Sequence, residues 1–192
     1  MTVISFVTGN VGKLREVESL LQGRVSFEAV KLDLVEIQGP DCATICIEKA
    51  KEAFRLLKRP VLIEDSGLSF DALQGLPGPY IKWFYDKIGN DGLYKMLQGF
   101  PSKSAWASCT FTLCLGDGEM YSFEGRIQGT IVEPAGEGGF GWDPLFKPLN
   151  GGGKTYAEMS AEEKNLISHR SVALSKLVEF LLKKNSLHNE AS

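Results

Sequence analysis

The sequence predicts an α/β fold, with helical segments before and after a mixed set of strands and a long hairpin as a second lobe. Two short runs, Val3 to Val7, apolar except for Ser5, and Val61 to Ile63, have the hydrophobicity of strands buried on both faces. Ser104 to Leu115 and Met120 to Ile131 alternate around Gly116-Asp117-Gly118, the pattern of an antiparallel hairpin.

The first run is ended by Thr8-Gly9-Asn10, and Lys13 to Leu21 then has helical periodicity through Leu14, Val17, Leu20 and Leu21. The opening residues lack a basic head and a small-residue cleavage site, so they read as a strand and not as a signal peptide. Val25 to Val30 is a short strand. Asp41 is placed to cap a helix running to about Lys58, with Cys46, Ala50, Ala53, Phe54 and Leu57 on one face. Val61-Leu62-Ile63 is expected to end at Glu64-Asp65-Ser66-Gly67. Gly75-Leu76-Pro77-Gly78-Pro79 leads into an aromatic helix from Tyr80. Beyond the hairpin, Gly136 to Gly153 reads as a loop with aromatic insertions. Ser160-Ala161-Glu162-Glu163 is a capping box opening a last helix to about Lys183, and the polar tail 185–192 is expected to be disordered. No repeat or long linker divides the 192 residues, which fit a single domain.

A net charge of −3 lacks the basic excess of a general nucleic-acid binder, and no apolar run approaches membrane-spanning length. Neither feature opposes a small anionic substrate. Cys42, Cys46, Cys109 and Cys114 have no zinc-site spacing and no nearby histidine. They read as buried apolar side chains in a reducing compartment, the cytoplasm.

Five segments can carry chemistry. Thr8-Gly9-Asn10-Val11-Gly12-Lys13 joins a buried strand to a helix and leaves backbone N–H groups at the helix N-terminus, where an anion is favoured. It is neither a P-loop nor a dinucleotide fingerprint, and a tight connection has the same look. Glu64-Asp65 puts two carboxylates where α/β sheets place ligands, and a hard divalent cation would relieve their repulsion. Glu36 could add an oxygen, and a solvated strand end is the alternative. Lys49 falls on the apolar face of its helix, so either its stem snorkels or its ammonium meets buried negative charge such as phosphate or Asp65. Phe140-Gly141-Trp142-Asp143 suits a flat ring stacking on a base, or a loop pinned to the core by its Trp. In Ser168-His169-Arg170, His169 is in register with Leu166 and Ala173, as a core histidine would be, while the adjacent Arg makes a donor pair for a keto oxygen.

Taken in order, Thr8-Gly9-Asn10-x-x-Lys13, Glu64-Asp65-Ser66-Gly67-Leu68, Gly75-Leu76-Pro77-Gly78-Pro79-Tyr80, Phe140-Gly141-Trp142-Asp143 and Ser168-His169-Arg170 resemble the inosine triphosphate pyrophosphatase family. The resemblance runs from about Val3 to about Leu182, and Gly78 to Phe84 looks closer to its eukaryotic branch. It implies a long mixed sheet flanked by helices, two lobes around a central cleft, and a homodimer. It also implies hydrolysis of inosine, deoxyinosine and xanthosine triphosphates to the monophosphate and pyrophosphate, with Mg²⁺ as cofactor and Mn²⁺ as a substitute. By that resemblance Thr8 to Lys13 cradle the triphosphate and Lys49 neutralises it. Glu36 and Asp65 hold the metal, and Asp65 also positions or deprotonates the attacking water, so Asp65, Lys13 and Lys49 are the catalytic set. Ser66 and Lys82 line the pocket, Phe140, Gly141, Trp142 and Asp143 wrap the base, and Lys164, His169 and Arg170 read it. Ser66 stands where some members have Thr, and Asn150-Gly151-Gly152-Gly153 is unusually glycine-rich.

Three rivals have distinct signatures. A Maf-type pyrophosphatase has a similar architecture but prefers pyrimidine or modified nucleotides, and the Phe140 and Ser168 segments argue for the purine branch. A nucleotide-binding regulatory protein would bind without Mg²⁺-dependent turnover. A nicotinamide-dependent enzyme needs a glycine fingerprint that is absent.

Overall fold

The computed structural model describes residues 3–21, 23–35 and 37–190, with side chains as far as Lys184. Its strands are β1 (Ile4–Val7), β2 (Phe27–Val30), β3 (Val61–Phe70), β4 (Pro77–Gly78), β5 (Ser104–Gly116), β6 (Glu119–Ile131) and β7 (Phe146–Pro148). Its helices are α1 (Val11–Leu21), α2 (Cys42–Leu57), α3 (Ile81–Met96), α4 (Ala161–Ile167) and α5 (His169–Glu190). The strands form one open mixed sheet in the order β2-β1-β3-β5-β6-β7, with β4 paired to β3. β1 runs parallel to β2 and β3, and β3, β5, β6 and β7 are antiparallel neighbours. This is the α/β class the periodicities predict.

Alternation along β3 assigns each helix to a face. Leu62 points into a cluster with Val17 and Leu21 of α1 and Leu174 and Leu177 of α5. Val61 and Ile63 point the other way, against Cys46, Ala50 and Ala53 of α2. Each fully buried aliphatic side chain in these clusters stabilises the fold by about 1.5–3 kcal/mol. A third cluster, under α3, gathers Leu68, Phe70, Ile81, Leu93 and Phe146. α2 begins as expected, with Asp41 extended and its Oδ1 accepting from Thr44 N–H at 2.7 Å. It ends at Lys58, whose N–H donates to Phe54 O.

Several boundaries differ from the sequence expectation. β3 does not stop at Ile63, because β5 pairs with it from Val61 to Phe70 and supplies the ladder that β1 no longer offers. Glu64 and Asp65 thus sit mid-strand, just beyond the parallel part of the sheet. The segment expected as a loop from Gly136 to Gly153 contains β7, paired to β6. The last helix is two helices. Ser160 and Glu163 form the expected capping box, but the chain turns extended at Ser168, whose Oγ accepts from Ser171 N–H at 3.1 Å and starts a second helix. That break sets His169 and Arg170 in the first turn of α5 and frees Leu166, which is 83% exposed, from the register assumed for one continuous helix. α5 then runs to Glu190, past the expected end at Lys183, so the tail is helical as far as that residue.

α5 lies very close to β6. A Cβ at Gly125 would stand 2.1 Å from His169 O and 2.5 Å from Ala173 N. Backbone cannot retreat from such a contact as a flexible side chain can. Gly125→Ala is therefore expected to destabilise the protein by about 3 kcal/mol. Urea unfolding should show a lower midpoint with an unchanged m-value.

Candidate active site

The carboxyl ends of β1 and β2 open onto the start of α1. Thr8 Oγ1 accepts from Asn10 N–H at 3.1 Å, and Asn10 Oδ1 accepts from Lys13 N–H at 3.0 Å. Asn10 is thus the helix cap, and the first-turn N–H groups of Val11 and Gly12 have no place in the helical ladder. Gly12 is required by its neighbour, since a Cβ there would stand 2.7 Å from the Phe140 ring.

The two carboxylates of β3 face opposite sides of the sheet, as period-two side chains must, so they do not present one shared pair of oxygens, although Glu64 still repels charge on Asp65. Glu64, on the α1–α5 face, is buried and fully engaged. Lys13 Nζ lies 2.7 Å from one oxygen, while Ser66 Oγ (2.5 Å), Cys109 Sγ (3.1 Å) and Arg170 Nη2 (3.2 Å) donate to the other. Burial alone would raise its pKa, but Lys13 and Arg170 overcome this and hold the carboxyl well below the usual range. Asp65, on the α2 face, has Lys13 and Lys49 as its cations. For it burial wins, aided by Glu64, and its pKa stands above the ordinary value of 3.8. Burial also lifts the thiol pKa of Cys42, Cys46 and Cys109, with Asp65 or Glu64 adding, so these free cysteines stay protonated.

Around Asp65 a cleft divides into two compartments. The inner one, about 390 Å³, is walled by Phe140, Gly141, Trp142, Asp143 and Arg170, by Ser66, and by Ile81, Trp83 and Tyr85 of α3. The outer one, about 480 Å³, is walled by Thr8, Gly9, Lys31, Asp33 and Leu34. Asn10, Lys13, Lys49, Asp65 and Lys82 line both. Most of the residues singled out from sequence therefore meet in one place. Val11, Gly12, Lys164 and His169 do not line it, and Glu36 lies outside the described residues.

Behind the inner wall runs a chain of alternating charges. Arg170 Nη1 donates to Glu16 Oε2, Lys164 Nζ donates at 2.6 Å to both Glu16 Oε1 and Asp143 Oδ2, and that Asp143 oxygen accepts from Phe140 N–H at 2.8 Å. Lys164 sits 4.8 Å from the Phe140 ring centre, a cation–π distance. His169 lies between Trp142 and Tyr156, with ring centres 5.3 and 5.7 Å away. Burial first, then Arg170 and Lys164, push its pKa well below 6.5, so the ring is neutral and supports Trp142 from behind. Asn90 Nδ2 donates to Gly141 O at 3.1 Å, tying the aromatic loop to α3.

Glu16, which joins Lys164 to Arg170 behind the site, was not singled out from the sequence. The only sequence signal was its spacing of three from Lys13 on a helix; its real partners are about 150 positions away in the chain, 148 for Lys164 and 154 for Arg170. Glu64 was visible as half of an acidic pair, but its burial and its cations were not.

Asp65 Oδ2 is a buried oxygen with no hydrogen-bond partner. A single uncommitted carboxylate oxygen beside a cleft fits a small hard cation that takes its other ligands from phosphate and water. No group of three His, Cys, Asp or Glu side chains among the described residues would enclose a metal.

The Ham1 family model matches residues 4–180. The chain is 55% identical over 172 residues to inosine triphosphate pyrophosphatase 2 of Trypanosoma cruzi, covering 89% of this chain and 88% of that one. It is 52% identical over 186 residues to inosine triphosphate pyrophosphatase of Yarrowia lipolytica, covering 96% and 97%. Among solved structures, a HAM1 protein from Coxiella burnetii superposes with a TM-score of 0.84 at 29% identity, covering 95% of this chain and all of that one. A nucleoside-triphosphatase, dITP/XTP pyrophosphatase, from Mycobacterium abscessus gives 0.72 at 31% identity, covering 91% and 98%.

The two carboxylates should respond oppositely to neutralisation. Glu64, with its folded pKa below the ordinary 4.5, contributes stability that is present above that value and lost as pH falls through the folded pKa. Asp65, with its folded pKa raised, disfavours folding once pH exceeds its ordinary value. At pH 7 and without metal, Glu64→Gln should lower stability by about 3–5 kcal/mol, the cost of breaking a buried pair. Asp65→Asn should raise the melting temperature. Thermal scans in EDTA check both signs, and two shifts of the same sign would refute this electrostatic account.

Proposed function

The chain belongs to the Ham1 family, and from that premise we propose that it hydrolyses inosine, deoxyinosine and xanthosine triphosphates to the monophosphate and pyrophosphate. The observation that carries this reading is the divided cleft, aromatic only in its inner compartment, with Lys13, Lys49, Lys82 and Asp65 where the two compartments join. A nucleotide lying across it has its base against Trp142 and Phe140, its α-phosphorus near Asp65 and its outer phosphates beyond. The names of the Trypanosoma cruzi and Yarrowia lipolytica relatives support the same substrate.

Water adds to the α-phosphorus, the α–β anhydride bond breaks, and pyrophosphate leaves. Lys13 and Lys49 face the negative charge that grows on the phosphates, and such pre-placed cations act most strongly in the transition state. Asp65 orients the attacking water and offers Oδ2 to a divalent ion, which we take to be Mg²⁺, with Mn²⁺ as substitute. When bound, that ion neutralises phosphate charge and polarises the anhydride. Thr8, Gly9 and Asn10 cradle the phosphates, the N-terminal dipole of α1 behind them favours an anion there, and Lys82 meets them from α3.

Recognition of the base follows from Arg170. Both of its Nη groups are occupied, whereas the buried Nε–H has no acceptor. An oxygen at the purine 6-position supplies one, while the adenine amine sets donor against donor. Leaving such a donor unpaired costs about 1–3 kcal/mol, or roughly tenfold or more in selectivity. His169 and Lys164 act at one remove, by holding Trp142 and Asp143. The four free buried thiols support a reducing compartment such as the cytoplasm. The resemblance further suggests a homodimer, for which sedimentation should give about twice the 21.1 kDa chain mass.

The decisive assay is pyrophosphate release from ITP, XTP and ATP in Mg²⁺ or EDTA. Release from ITP and XTP should require Mg²⁺, exceed that from ATP by about tenfold or more, and vanish in Asp65→Asn. No release from ITP or XTP would refute the proposed activity.

A further inference from the structure

The motifs that suggest the activity do not include Lys31, yet the fold sets it at the cleft. β2 ends at Val30, which is the parallel-ladder partner of Val7, and Thr8 N–H donates to Val30 O at 3.1 Å. Thr8 and Lys31 therefore leave the carboxyl ends of adjacent parallel strands side by side, at the edge where open α/β sheets receive ligands.

Lys31 lines the outer compartment and not the aromatic one. It is exposed, and its side chain makes no hydrogen bond or ion pair among the described residues. Its fellow cations differ in this respect or in position. Lys13 is held by Glu64, and Lys49 and Lys82 line both compartments. Of the carboxylates lining the outer compartment, Glu64 is already neutralised, which leaves Asp33 and Asp65 facing Lys31, Lys49 and Lys82. An anion entering beyond Asp65 thus meets Lys31, the basic residue that, among the described residues, lines the outer compartment alone.

A triphosphate whose base occupies the aromatic compartment and whose α-phosphorus sits near Asp65 must extend its outer phosphates this way. The terminal phosphate carries close to two negative charges at neutral pH and is the strongest attractor for an uncommitted lysine. A compact ammonium on a flexible stem also suits a group that must depart. Resting on the activity proposed above, we propose that Lys31 binds the terminal phosphate of the substrate and the leaving pyrophosphate, and thereby sets the preference for triphosphates over diphosphates. A diphosphate seated by the same base falls one phosphate short of it.

Calorimetric titration with Mg²⁺-pyrophosphate and with inosine monophosphate reads this contact without turnover. Lys31→Gln should weaken pyrophosphate binding about tenfold, Lys31→Arg should restore it, and the monophosphate affinity should not move. In turnover, kcat/KM for inosine triphosphate should fall by a similar factor through KM while that for inosine diphosphate holds. Lys51→Gln makes the same charge change on an exposed α2 lysine paired with Glu48, and should leave both affinities unaltered. Unchanged pyrophosphate affinity in Lys31→Gln, an equal loss for the monophosphate, or an equal loss in Lys51→Gln would each overturn the assignment. Wild-type protein that gives the expected calorimetric pattern but releases no pyrophosphate from inosine triphosphate would support the Lys31 contact and refute the activity.

Discussion

The structure depends on one buried cation. Arg170 is 2% exposed, and a guanidinium so placed must find negative charge, because unpaired it would cost several kcal/mol. It finds Glu64 on β3 and Glu16 on α1, so three elements distant in sequence are required to meet. The break at Ser168 and the bare backbone at Gly125 both serve this meeting, since they bring the first turn of α5 down onto the sheet. From Glu16 the charges continue through Lys164 to Asp143 and the Phe140 amide. The aromatic loop is therefore tied to the core of the sheet as well as to α3 through Asn90.

The two neighbouring acids of β3 show how one strand can host opposite electrostatic situations. Glu64 receives more positive charge than its burial demands and belongs to the scaffold. Asp65, one residue on and facing the other side, is left with too little, and one of its oxygens is unmatched. A protein selected for stability alone would neutralise such a group, so its persistence supports a functional reading.

Much of this was legible in the sequence because it rests on local rules. The Asp41 cap, the Ser160–Glu163 box and the β5–β6 hairpin are written in patterns a few residues long, and the structure has each of them. The five segments met in one cleft, which spacing alone could not guarantee. What escaped were the non-local terms. β3 outruns its apolar run because β5 pairs with it, and Glu16 has no distinction until Arg170 arrives from the far end of the chain. His169 is buried as a core histidine should be, but Leu166, read into the same register, is exposed because that helix proved to be two. Lys31 looked like any lysine after a strand until the parallel register set it beside Thr8.

The contact between Gly12 and Phe140 ties the two ends of the cleft together. The first turn of α1 and the aromatic loop touch with less than a methyl group of clearance, so neither can shift toward the other independently. In mechanical terms each is a stop for the other. In evolutionary terms, positions 12 and 140 form a linked pair, and enlarging the first would be tolerated only in a lineage that had already reduced the second.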